Sequence, residues 1–258
     1  MSDRKRFQGR SVLVTGASSG IGRATALALA AEGANVALAG RRRARLDEVA
    51  AQVKSHGGRA LVLEGDVRDE ATCAGWASDC MAAFEGLDGL VNAAGVIGNG
   101  AIDATAPAEW DRIMDSNVRA LYLMTRAAAD ALRRRKGSIV NLSSVAGNRP
   151  YAGLGAYCVS KAAVDMITRC AALDLAPDGV RVNAVSPGVV ITELHTVTHA
   201  VADYAAFLER GRTTHPLGRV GTAEEVAGLI LWLLSDEAAW VTGTSMPIDG
   251  GRALASAR

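Results

Sequence analysis

The chain has 258 residues, 49% of them apolar and 21% charged, and its 28 Lys and Arg against 27 Asp and Glu leave a formal net charge of +1. That composition belongs to a globular protein and excludes intrinsic disorder, and so balanced a charge gives no global field to hold nucleic acid or an anionic membrane. The longest apolar run near the C-terminus, Leu229 to Leu234, falls far short of the ~20 residues that span a bilayer, and the charged opening Met1-Ser2-Asp3-Arg4-Lys5-Arg6-Phe7 is unlike a signal peptide, so a cytoplasmic protein is expected.

Short β-branched runs alternate with Ala-rich helical stretches, the pattern of repeated βαβ units. Strand Val12 to Val14 precedes a helix from Gly22 to Ala31, strand Val36 to Leu38 one from Arg45 to Lys54, and strand Ala60 to Leu63 one from Ala71 to Phe84. Strand Leu90 to Val91 leads into a long helix from Glu109 to Arg134, and strand Ser138 to Asn141 into one from Ala156 to Leu175. After strand Val182 to Val185, a helix from Ala223 to Leu234 brings the chain to a last strand around Ser245 to Ile248. The strands lack apolar/polar alternation, so both of their faces are buried. The expectation is an α/β single-domain Rossmann fold over residues 1–258, a seven-stranded doubly wound parallel sheet with helices on both faces. The polar, helix-prone stretch 192–215 breaks the alternation after the sixth strand, at the sheet edge where ligands bind in such folds, and is read as a substrate-facing lid.

Between the first strand and first helix lies Thr15-Gly16-Ala17-Ser18-Ser19-Gly20-Ile21-Gly22. Glycines there let the chain turn tightly and approach a pyrophosphate closely, while the helix N-terminus offers N–H groups to the anion. The end of the second strand, where an acidic residue would accept the adenosine ribose hydroxyls, reads Leu38-Ala39-Gly40-Arg41-Arg42-Arg43, with no acid between Glu32 and Asp47. Gly40 leaves room for a 2′-phosphate and Arg41 or Arg42 supplies a guanidinium to pair with it, which favours NADP over NAD.

Tyr157 and Lys161 stand four apart in a helix-forming stretch and so share a face. A pair of that kind is by itself more often structural. An ammonium beside a phenol nevertheless favours the phenolate, and the couple suits acid–base work at a carbonyl or alcohol.

These residues, taken together, resemble the short-chain dehydrogenase/reductase superfamily over nearly the whole chain. Thr15-Gly16-x3-Gly20-x-Gly22 fits the family's first motif, and Asp66-Val67 fits its adenine contact. Asn92-Ala93-Ala94-Gly95 fits the Asn-Asn-Ala-Gly motif with Ala93 in place of the second Asn. Asn117, Ser144, Tyr157 and Lys161 fall at the family's catalytic spacing, and Pro187-Gly188 with Thr192 fits the motif holding the nicotinamide end. The resemblance implies hydride transfer between nicotinamide and a carbonyl carbon, with Tyr157 as acid in reduction and base in oxidation. Lys161 would lower the phenol's pKa and bind the nicotinamide ribose, Ser144 would hydrogen-bond the substrate oxygen, and Asn117 would hold a water reaching Lys161. The cofactor residues so implied are Gly16, Ser18, Ser19, Gly20, Ile21, Gly22, Arg41, Arg42, Asp66, Val67, Asn92, Ala93, Gly95, Tyr157, Lys161, Pro187, Gly188, Val190 and Thr192. Asn92 reads more as a brace within the sheet than as a chemical group. A homotetramer packed through the long helices is also implied.

Val145, Ala146, Tyr151 and Leu154, with Val96, Ile97 and the lid, are the expected substrate walls, mostly apolar, and they suggest a moderately hydrophobic carbonyl or alcohol. No fixed charge among them selects a carboxylate or phosphate substrate; Arg149 is the one candidate anion anchor, and it reads more as a surface arginine. The stretch Leu217 to Val226, with Ile248-Asp249-Gly250-Gly251, looks similar to the family's reductases of carrier-bound 3-oxoacyl chains, and the basic run Arg133-Arg134-Arg135-Lys136 could receive an acidic carrier. Asp178, where those reductases tend to carry a basic residue, argues against it. A non-catalytic NADP-binding regulator is the alternative of another class, disfavoured because both Tyr157 and Lys161 are present. Neither basic block is interleaved with aromatics, so no nucleic-acid partner is expected. Cys73, Cys80, Cys158 and Cys170 form no C-x-x-C pair and read as reduced thiols. His195 and His199 share a helical spacing near Glu193 but lack a placed third ligand, so no metal is expected. His56 and His215 read as turn and loop residues.

Overall fold

The computed structural model describes residues 5–194 and 203–255. Strands β1 (Ser11–Thr15), β2 (Asn35–Gly40), β3 (Ala60–Glu64), β4 (Gly89–Asn92), β5 (Ser138–Leu142), β6 (Arg181–Pro187) and β7 (Ser245–Ile248) form one parallel sheet. Their order is β3-β2-β1-β4-β5-β6-β7. The chain winds outward from β1 in one direction and from β4 in the other, so the order reverses between these two neighbours. Val14 pairs with Leu38 on one side and Val91 on the other. Loops at the carboxyl ends of strands beside such a reversal splay apart and leave a crevice.

Helices α1 (Gly20–Ala31), α2 (Arg43–Ser55), α3 (Glu70–Phe84), α4 (Pro107–Met114), α5 (Ala120–Arg135), α6 (Gly155–Leu175), α7 (Tyr204–Thr214) and α8 (Ala223–Leu234) follow in chain order. Side chains alternate across a strand, so Val12 and Val14 enter one core while Leu13 enters the other. The first core joins Leu29 of α1, Val53 of α2 and Ile230 of α8. The second joins Trp76 of α3, Leu132 of α5 and Leu175 of α6. The helices therefore lie on both faces, as the unalternated strands required.

The helix expected from Glu109 to Arg134 runs continuously from Pro107 to Arg135, with one π turn, Asp115–Arg119, between α4 and α5. Asn117 lies in that turn, and its side chain is tied to the loop after β4, a tertiary constraint that helical periodicity does not carry. Single π turns inside α-helices recur at functional sites. No helix among the described residues is long and apolar enough to cross a membrane.

Candidate active site

The loops at the carboxyl ends of β1, β4, β5 and β6 line a crevice, and Arg42, just after β2, packs on the loop after β1. In the loop after β1, Gly16 has φ +66°, and a Cβ there would stand 2.9 Å from the Ala94 backbone nitrogen, while one at Gly22 would press into the Gly16 carbonyl. Any larger residue would thus push the loop off the β4 turn or α1 off β1. Ser19 begins α1 without a side-chain hydrogen bond to the first turn, which contains no acid. A close backbone turn that ends on a helix start left uncapped by any side chain suits a pyrophosphate. The residues present therefore fit a dinucleotide.

At the end of β2, Arg42 folds back over this loop. Its guanidinium donates to Ser18 Oγ at 3.0 Å and Ser19 Oγ at 2.7 Å, and pairs with Glu193 at 3.2 Å. Arg41 is exposed and lies close enough to Asp66 to help lower that carboxyl's pKa, although the main cause is the hydrogen bond from Arg68. Val67 packs among the residues of the second core. Both arginines, both serines and Asp66 thus surround one end of the crevice, although no spacing rule linked Glu193 to them.

The other end is a cavity. Ser144, Tyr157 and Lys161 line it together with Ile21, Ala93, Gly95, Pro187, Gly188, Val190 and Thr192. Residues separated by up to 171 positions, from Ile21 to Thr192, meet here because each follows or covers a strand's carboxyl end. Tyr157 and Lys161, both buried, project from the first turns of α6. The Tyr157 hydroxyl is hydrogen-bonded to Ser144, and the Lys161 ammonium lies 5.7 Å from the phenol ring centroid while donating to the Leu142 carbonyl at 2.7 Å. Burial pushes the phenol up to about 12, against the hydrogen bond from Ser144, and pushes Lys161 down to about 8. Desolvation of the phenolate is the dominant influence, with the ammonium placed over the ring. At neutral pH the group is a firmly protonated acid.

Asn117 reaches this centre from the π turn. Its amide accepts from the Val96 N–H at 2.8 Å and donates to the Val96 carbonyl at 2.9 Å and to Ser160 Oγ at 3.0 Å. It thereby fastens the loop after β4 to α6, one residue before Lys161. Asn92 is turned into the sheet, where its amide nitrogen donates to Thr125 Oγ1 at 3.1 Å and Asn141 Oδ1 at 2.9 Å. The brace reading fits that side chain, while its neighbour Ala93 lines the cavity.

Thr192 lies against the opposite wall, and a Cβ on Gly20 would stand 3.3 Å from its methyl, so the phosphate loop and the segment after β6 touch. Leu194, just beyond, and Phe207 of α7 also line the cavity. These two belong to the segment expected to cover the substrate. His195 and His199 lie outside the described residues.

His215, read as a loop residue, is buried. Its Nδ1 bonds the Gly211 carbonyl at 2.6 Å, and its Nε2 accepts from the Val189 N–H at 3.1 Å, so a neutral ring with the proton on Nδ1 satisfies both. It pins the chain that carries Val190 and Thr192. Burial holds its pKa below the ordinary 6.5. The unfolded chain takes up a proton as pH falls through 6.5 while the folded chain resists, so this contribution to stability is present above 6.5 and lost below it. His215→Gln is expected to lower the unfolding temperature at neutral pH and to flatten its decline across that pH range. An unaltered decline would assign the pH dependence to other groups.

Arg149 does not reach the cavity. Its guanidinium donates to the Arg252 carbonyl at 3.1 Å and to the Ala255 carbonyl, while Arg252 itself lines the cavity. Sequence reasoning passed over Arg252, although its place just beyond β7, at the ligand-binding edge of the sheet, was a usable signal. Burial raises the Cys73 and Cys80 thiols to about 11 and about 12, which makes them inert. Among the described residues no group of three or more His, Cys, Asp and Glu side chains is placed to hold a metal ion.

Comparison with known proteins agrees with this fold. A family model described as enoyl-(acyl carrier protein) reductase matches residues 16–253. Cyclopentanol dehydrogenase of Comamonas sp. is 39% identical over 248 residues, covering 95% of this chain and 98% of that protein. A 3-oxoacyl-(acyl-carrier-protein) reductase of Staphylococcus aureus is 36% identical over 245 residues, 94% of this chain and 97% of its own. Among solved structures, levodione reductase superposes with a TM-score of 0.92 at 32% identity, covering 97% of this chain and all of its own. A short-chain type dehydrogenase/reductase from Mycobacterium marinum superposes with a TM-score of 0.89 at 36% identity, covering 97% and 98% of the two chains.

Proposed function

The chain belongs to the short-chain dehydrogenase/reductase family, an oxidoreductase family acting on alcohols and carbonyls with a nicotinamide cofactor, and from that premise we propose that it is an NADP(H)-dependent enzyme interconverting a small, moderately hydrophobic ketone and its secondary alcohol. One observation carries the reading: Ser144, Tyr157 and Lys161 face the same cavity as the residues expected to hold the nicotinamide end. A bound nicotinamide supplies or accepts the hydride. Gly16, Ser18, Ser19, Gly20, Ile21 and Gly22 hold the pyrophosphate, Arg41 and Arg42 the 2′-phosphate, and Asp66 and Val67 the adenine. Ala93, Gly95, Pro187, Gly188, Val190 and Thr192 wall the nicotinamide end, and Asn92 keeps the β4 end in register beneath it.

Ser144 Oγ donates a hydrogen bond to the substrate oxygen and Tyr157 Oη gives it a proton, two donors placed where alkoxide charge develops. The high pKa of the phenol keeps that proton available in the reductive direction. Lys161 holds the cofactor ribose and, as an ammonium, stabilises the phenolate left behind. Asn117, through Val96 and Ser160, fixes the loop and helix that set these distances.

The apolar walls Val145, Ala146, Leu154 and Phe207 favour a compact hydrocarbon frame, and the cyclopentanol dehydrogenase relative favours a cyclic one. A carrier-bound 3-oxoacyl chain is the second reading, favoured by the Staphylococcus relative. Against it, Arg133 is spent on Asp178 and Asp130, which leaves less of the basic run for an acidic carrier. Val159, Met166 and Leu173, seven residues apart on α6, and Tyr122 on α5 are exposed. That apolar row supports a homotetramer packed through these helices, and four cysteines without disulfides support a cytoplasmic setting. Initial rates of NADPH oxidation over cyclic ketones, linear ketones, quinones and β-ketoacyl thioesters test the reading. Turnover of small ketones at the highest kcat/KM is expected, and cofactor binding without turnover of any carbonyl would overturn it.

A further inference from the structure

The substrate cavity is apolar along most of its length, and among its described lining residues no carboxylate appears. Two cations do. Lys161 belongs to the reacting end and is bonded to the Leu142 carbonyl. Arg252 has no such role. Its guanidinium is held in place by a hydrogen bond to Thr214 Oγ1 and lies 5.2 Å from the Tyr151 ring centroid. The Arg149 guanidinium lies 5.9 Å from the same centroid and holds the Arg252 backbone through its carbonyl. Neither arginine forms an ion pair with a carboxylate among the described residues, and the Tyr151 hydroxyl is buried with no hydrogen-bond partner. A guanidinium fixed by side-chain and backbone contacts yet left without a counter-charge is poised to pair with a carboxylate.

We infer that Arg252, seated on the Tyr151 ring, forms an anion-binding end of the substrate cavity, and that the substrate is a carbonyl compound carrying a carboxylate, an oxo acid or the corresponding hydroxy acid. Arg252 gives the carboxylate a charge-assisted hydrogen bond, the Tyr151 ring supports its guanidinium, and Arg149 contributes charge and holds the Arg252 backbone in place. The apolar wall between this end and Ser144 and Tyr157 takes the hydrocarbon linking the two functional groups. This inference rests on the oxidoreductase reading and narrows its substrate class.

The test uses the full chain with NADPH and methyl-ketone acids having one to five methylenes between carbonyl and carboxylate, each compared with its methyl ester. For at least one chain length the acid is expected to exceed its ester in kcat/KM by roughly ten- to hundredfold, the range of one charge-assisted hydrogen bond set. Arg252→Gln is expected to bring that acid-to-ester ratio close to one, mainly through KM. Arg252→Lys, which keeps the charge without the fork, should fall between. Ratios near one in the unaltered protein, or a ratio that Arg252→Gln leaves in place, would overturn the inference while leaving the oxidoreductase reading intact. Where no ketone is reduced, calorimetric binding of the same acids with NADP+ present decides. Binding that Arg252→Gln weakens tenfold or more upholds the anion site although the reductase reading falls, and binding that it does not weaken overturns both.

Discussion

Tyr157→Phe is expected to lower kcat for ketone reduction by about 10³ to 10⁴, the upper range for loss of a positioned general acid, while the dissociation constant for NADPH stays within about twofold. The loss is large because the hydroxyl, beside Ser144 in the cavity, is the group assigned to give the substrate oxygen its proton. Ser144 remains to accept or donate a hydrogen bond but is a far weaker acid. Binding survives because the phenylalanine ring fills the same buried volume, so α6 and the cavity wall are undisturbed. The cationic form of Lys161 carries the pH dependence. Burial holds this group near 8, so the reductive rate should decline as pH rises through that value and the ammonium that stabilises the developing phenolate is lost. A variant retaining more than a tenth of the original rate would remove Tyr157 from the proton-transfer step.

Replacing Arg41 and Arg42 together by alanine is expected to raise the KM for NADPH by roughly a hundredfold, the loss of charge-assisted bonds worth about 1.5–3 kcal/mol to a 2′-phosphate. The KM for NADH should rise much less. It should still rise, because Arg42 also ties Ser18 and Ser19 of the phosphate loop to β2. Arg41→Ala alone separates these effects, since Arg41 makes no such bonds to the loop. Its NADPH-specific loss measures phosphate recognition, and the further loss on removing Arg42 measures loop positioning. Equal effects on both cofactors would place the arginines outside any 2′-phosphate site.

The sheet was legible because its strands are buried on both faces: runs such as Val12-Leu13-Val14 leave one solution, helices on either side, and the structure takes it. The candidate site residues were legible through the family resemblance rather than through spacing alone: a Tyr and a Lys four apart on a helix are more often structural, and it is the joint match of Asn117, Ser144, Tyr157 and Lys161 to one family pattern that singles them out. The structure brings Ser144, Tyr157, Lys161 and Thr192 to one cavity. Where a side chain answers to a distant partner, spacing carries no signal. Asn117 sits in a π turn with its amide bonded to Val96, 21 residues earlier in the chain, and helical periodicity runs straight through that position. His215 precedes a proline and looks like a loop residue, yet Gly211 and Val189 draw it into the interior. Arg252, which carried no expectation, lines the cavity in place of Arg149, because the segment after β7 lies over Tyr151, far from it in sequence and beyond the reach of local spacing.

The most direct measurement of the central claim is the transfer of label from NADPH deuterated at the reactive carbon of its nicotinamide ring, prepared as both stereoisomers, to the best ketone of the panel, read by mass spectrometry of the alcohol. One stereoisomer should deliver a single deuterium to the carbinol carbon, at a rate that Tyr157→Phe reduces by about 10³ or more. An alcohol formed without deuterium from either stereoisomer, or formed equally well by the Tyr157 variant, would contradict the account.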